Sequence, residues 1–74
     1  MTYGLGTAGT VTIEIFNAAG SLVRRLEEGP RTAGQHRVHW DGRDGRGHAL
    51  ASGVYLARMV AADGVRTGRV VIER

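Results

Sequence analysis

The chain has 74 residues, 12 of them glycine, with one proline, no cysteine and a formal net charge of +3 at pH 7. That length holds one domain with a thin core, and the missing cysteines exclude disulfides, thiolate chemistry and cysteine-ligated zinc. No stretch approaches the ~20 apolar residues of a membrane-crossing helix, and no signal peptide is recognisable at the start.

Residues 1–9 read as a lead-in segment, with a short strand around Tyr3 to Gly6 as its one candidate element. Gly4-x-Gly6-x-x-Gly9 spells a dinucleotide-binding pattern, but it precedes a strand where that motif must follow one and open a helix. Residues 11–16 alternate apolar and polar with period two, the mark of a half-buried strand. Asn17 to Gly20 supplies a turn, and residues 21–26 return as the second strand of a hairpin. Glu27-Glu28-Gly29-Pro30 is expected to break that strand. Alternation resumes over residues 35–40, and residues 41–51 form a long loop. A strand over residues 53–62, an Asp63-Gly64 turn and a last strand over residues 65–73 complete the chain. Turn signals recur roughly every 8–12 residues, the spacing of a β-sandwich, and no segment sustains a helical period.

Trp40 is the one tryptophan and is expected at the centre of the core, because aromatics bury the most area per residue. Val11, Ile13, Ile15, Val38, Tyr55, Met59, Val70 and Ile72 are its expected companions, with Ala57 beside them. In the 53–62 strand, Tyr55, Ala57 and Met59 point inward by parity. Leu56, Arg58 and Val60 share the opposite face and are the candidate interaction residues.

The 41–51 loop gathers Asp41, Gly42, Asp44, Gly45 and Gly47, and Gly53 opens the next strand. Glycine takes positive φ without steric cost, and aspartate accepts amide hydrogen bonds two residues on, so this run suits a tight structural loop. Asp41 and Asp44 are also weak cation candidates, since Asp-x-x-Asp-Gly-x-Gly partly matches the start of an EF-hand loop. Position 52, where that loop needs its closing glutamate, is serine. A calcium- or glycan-binding loop is therefore the alternative to a structural one. His36 and His39 lie three apart in a strand, on opposite faces, and cannot chelate together. Ser52, His48 and Asp44 sit in one loop with no nucleophile elbow and no room for a pocket. No catalytic residue, metal site or cofactor is assigned. The arginines are spread from Arg24 to Arg69 with few aromatics between them, unlike a nucleic-acid surface.

Several stretches together resemble a known family. They are Val11-x-Ile13-x-Ile15-x-Asn17-x-x-Gly20, Val23-Arg24-x-Leu26, Gly34-x-His36-x-Val38-x-Trp40-Asp41-Gly42-x-Asp44-x-x-Gly47, and Ser52-Gly53-Val54-Tyr55. They look like the Ig-like domain of the flagellar hook-capping protein (FlgD) and related C-terminal Ig-like modules of secreted bacterial proteins. The likeness extends from about Leu5 to Ile72, and its most specific part is WDG-x-D-x-x-G followed by SGVY. It implies an all-β, fibronectin-III-like sandwich of about five to seven antiparallel strands, one domain over residues 1–74. It implies a non-enzymatic structural, assembly or protein-interaction module at the C-terminal end of an exported, extracytoplasmic protein. Its expected partners are other proteins or neighbouring domains of the parent chain, with homo-oligomerisation through a strand edge as a further route. Neither nucleic acid nor membrane insertion is expected.

Overall fold

A computed structural model describes residues 2–73. The strands are β1 (Thr2–Leu5), β2 (Gly9–Phe16), β3 (Leu22–Arg31), β4 (Gly34–Arg37), β5 (Gly53–Ala61) and β6 (Gly64–Ile72). All pairings are antiparallel. Four strands form one sheet in the order β3-β2-β5-β6, and β1 and β4 form a second of two strands. The two sheets pack as a small Ig-like β-sandwich.

The alternation of β2 and β5 makes the core. Val11, Ile13 and Ile15 of β2 and Tyr55 and Met59 of β5 are buried, and the register sets Ile13 opposite Met59 and Ile15 opposite Ala57. Leu5 from β1 and Val38 from just beyond β4 close over Val11, Ile13 and Met59 from the second sheet. Among the described residues no polar or charged side chain is buried, so the core carries no desolvation cost from charge.

Four local readings need correction. The Gly29-Pro30 pair does not end β3, which runs on to Arg31 with Pro30 opposite Thr10. A proline is tolerated there because β3 is an edge strand and its outward side needs no donor. Register shifts between Ile13 and Glu14 and between Ile15 and Phe16 take up the two additional residues on β3, as β-bulges do. Second, β4 is four residues long and stops at Arg37, which pairs with Thr2 of β1. Third, Trp40 therefore lies outside any strand and is half-buried, not the centre of the core. It packs edge-on against Tyr55, with ring centroids 5.8 Å apart, and its Nε1 donates to the Arg43 carbonyl at 3.0 Å. The tryptophan thus closes one end of the sandwich. Val70 and Ile72 are also half-buried, since the two-stranded sheet leaves much of β6 uncovered. Fourth, the last hairpin turns on Ala62 and Asp63, with Ala61 opposite Gly64.

The short strand expected around Tyr3 to Gly6 is present one residue earlier, and it is part of the sandwich and not a lead-in. Thr2–Leu5 is a paired strand, and Leu5 is in the core. Asp63 accepts from the Gly6 amide at 3.2 Å, and Arg66 donates to the Gly4 carbonyl at 2.6 Å. Asp63 and Arg66 are themselves paired at 2.8 Å. Together they supply a donor to Gly4 of β1 and an acceptor to Gly6 just beyond it.

Candidate interaction surface

The outer face of the four-stranded sheet is set by the parity that builds the core. Wherever odd residues of β2 and β5 turn inward, even ones turn outward. Leu56, Arg58 and Val60 lie on this outer face and are exposed. The register adds neighbours to them: Phe16 lies opposite Leu56 and Leu22, Val71 opposite Val54, and Val65 opposite Val60. Leu22, Val54, Leu56, Val60, Val65 and Val71 are all large apolar side chains left in water, Val65 at 62 % exposure. Leu22, Val54, Val65 and Val71 were not among the sequence candidates. The same period-two count, carried from β5 onto its neighbours, identifies them.

A charged belt crosses this apolar field. Glu14 accepts from Arg25 and from Arg58, each at 3.0 Å. The two guanidinium groups, Arg58 before Arg25, hold the Glu14 carboxyl below the ordinary glutamate range. Arg58 also lies over the Phe16 ring, 5.0 Å from its centroid, in cation–π geometry. Arg69 stands opposite Leu56, exposed and without a hydrogen bond or ion pair from its side chain among the described residues.

The 41–51 loop is held by its own polar groups. Asp41 Oδ1 accepts from the Arg43 amide at 3.0 Å, and Asp44 Oδ1 accepts from the amides of Arg46 and His48, both at 2.9 Å. Those amides, that of His48 foremost, keep the Asp44 carboxyl below its usual value. The Arg24 guanidinium from β3 reaches Asp41 Oδ1 and the carbonyls of Arg43 and Asp44, at 3.3, 3.0 and 3.2 Å. Three oxygens of the kind a cation takes are thus shared by an arginine. Among the described residues no group of three or more His, Asp or Glu side chains is placed to hold a metal ion. Gly42 and Gly47 have positive φ (74° and 86°) and Gly53 has φ 154°. Gly45 does not share this feature; its amide donates to the Val23 carbonyl at 3.0 Å, tying the loop to β3. His36 stacks on Tyr3 across β1 and β4, ring centroids 5.2 Å apart, and its Nε2 lies 2.7 Å from the Thr32 carbonyl.

Two open grooves flank the inner side of β6. One, about 370 Å³, has Ile13, Ala57 and Met59 in its lining, with Tyr3, Arg66 and Gly68 beside them. The other, about 320 Å³, runs along Val70 to Ile72 beside Trp40 and Asp41.

Neither a curated protein nor a solved structure matches the chain. The family model of the FlgD Ig-like domain matches residues 2–64, which is β1 through the first residue of β6, and the chain belongs to that family.

Proposed function

We propose that the domain is a non-catalytic assembly module at the C-terminal end of an exported bacterial protein, and that it works by surface contact with other proteins or with neighbouring domains of its parent. The observation that carries this reading is the outer face around Leu56, Arg58 and Val60. Six large apolar side chains remain in water on or beside one sheet face, and clustered exposed apolar surface marks a place where another surface docks. The apolar groups supply area, and the Arg25–Glu14–Arg58 belt supplies orientation, because charged pairs at an interface fix register more than they add affinity. Membership of the FlgD Ig-like family supports a structural or assembly role and an extracytoplasmic setting. The loop carboxylates, engaged by amides and by Arg24, support a structural loop over the calcium- or glycan-binding alternative.

The test is a Leu56→Asp, Val60→Asp double variant in the full exported protein, followed by its extracellular yield and its sedimentation. Both positions are exposed, so the domain is expected to melt as before while assembly is lost. Unchanged assembly would overturn the reading.

A further inference from the structure

We infer that the free edge of β6 is the strand-acceptor site of this domain, and that it takes an extended protein segment alternating apolar residues with carboxylates. The inference deepens the surface-contact reading and rests on it. It starts from a comparison of the edges. A sheet edge presents unpaired amides and carbonyls to any passing strand, and stable domains blunt such edges with prolines, bulges, short length or capping side chains. Three of the four edges here are blunted. β3 carries Pro30 and two register shifts. β4 is four residues long. β1 is as short and is capped by Asp63 and Arg66. β6 has nine residues, no proline, and pairs with β5 without a register shift from end to end. It lies, apart from Gly64, beyond the residues that the family model matches.

The geometry says which groups are on offer. Ala61 and Gly64 flank a two-residue turn, so theirs is a hydrogen-bonded pair, and alternate pairs along the ladder follow suit. The amides and carbonyls of Val65, Thr67, Arg69 and Val71 therefore point away from β5. A strand added there would send alternate side chains inward, beside the two grooves along β6. The space above Gly68 is open, since an added Cβ would meet nothing within 4 Å. Tyr3 also lines the first groove, and its hydroxyl is buried with no hydrogen-bond partner among the described residues.

Charge selects the occupant. β6 carries Arg66, which is paired with Asp63, and Arg69, and no acidic residue; the Arg69 side chain has no partner among the described residues. Opposite charges across neighbouring strands stabilise pairing and like charges oppose it. A second copy would bring another β6 of the same sign and another net charge of +3. The fitting strand instead sets a carboxylate opposite Arg69 and apolar residues over the grooves.

The probe is a nine-residue peptide, Thr-Val-Glu-Val-Thr-Val-Glu-Val-Thr, titrated into the 74-residue chain and followed by amide NMR, beside a control with lysine for glutamate. The glutamate peptide is expected to protect the amides of Val65, Thr67, Arg69 and Val71, and to bind about two- to fivefold more tightly than the lysine peptide. Arg69→Glu should reverse that preference. Thr67→Pro removes one outward amide from an edge position where proline is tolerated, so it should keep the fold and abolish binding. Binding centred on Leu56 and Val60 would overturn the edge assignment and leave the surface-contact reading standing. Self-association through β6, or no shift with either peptide, would also overturn it. The assembly assay on the Leu56, Val60 variant reads the broader proposal separately.

Discussion

At the scale of single residues, stability rests on small aliphatic side chains. Ile15 is fully buried and Trp40 is half-exposed. Ile15→Ala should therefore cost about 3–4 kcal/mol and Trp40→Ala less, about 2 kcal/mol. Urea denaturation checks the order; a larger loss at Trp40 would return the tryptophan to the core. Gly53 has room around it but a φ of 154°, so Gly53→Val should cost about 1–3 kcal/mol through backbone strain alone. Gly45, with no positive φ and open space, should accept alanine within about 0.5 kcal/mol. An equal loss at the two glycines would show that the loop, and not the backbone angle, decides.

The inward and outward faces of β5 were legible in the sequence because period two is written in Tyr55, Ala57 and Met59 against Leu56, Arg58 and Val60. Trp40 misled for a different reason. Size predicts how much area a side chain can bury, but not whether the strand carrying it reaches the core. That depends on how far β4 pairs, which is to Arg37 opposite Thr2, a fact of pairing with no local trace around Trp40.

At the scale of elements, the same limit explains β3. Glu-Glu-Gly-Pro looks like a break when strands are judged one by one, yet an edge strand accommodates it. Likewise, the carboxylates of the 41–51 loop were visible, but not the Arg24 guanidinium that comes to them from β3. With that guanidinium among the loop oxygens, Asp44→Asn should lower the melting temperature by the same amount in EDTA and in millimolar calcium. A loss seen only with calcium would make Asp44 a ligand.

Acid should act through a few carboxylates. Glu14, Asp44 and Asp63 all have folded-state values depressed below the ordinary 4.5 and 3.8, through hydrogen bonds from Arg58, from the His48 amide and from the Gly6 amide respectively. A depressed acid binds its proton more readily in the unfolded chain. Its contribution is thus complete above the unfolded value and is lost as pH falls through the folded one. The melting temperature should be flat near neutrality and fall as pH drops below the ordinary 4.5 and 3.8 of these groups. The Asp63→Asn variant should show a shallower fall, and an identical profile would remove Asp63 from the account.

At the scale of the molecule, the sandwich is lopsided: a floor of four strands under a roof of two. The roof covers Val11, Ile13 and Met59 and leaves grooves along β6, while the outer face of the floor keeps its apolar side chains in water. A domain built this way holds its fold through β2 and β5 and leaves the β6 edge and the outer face to solvent. The most direct measurement is residue-resolved hydrogen exchange on the 74-residue chain at low concentration. The amides of Ile13, Ile15, Ala57 and Met59 should be protected, while those of Val65, Thr67, Arg69 and Val71 exchange freely. Protection of those four β6 amides in the monomer, or free exchange at Arg66, Gly68 and Val70 in their place, would contradict an open β6 edge.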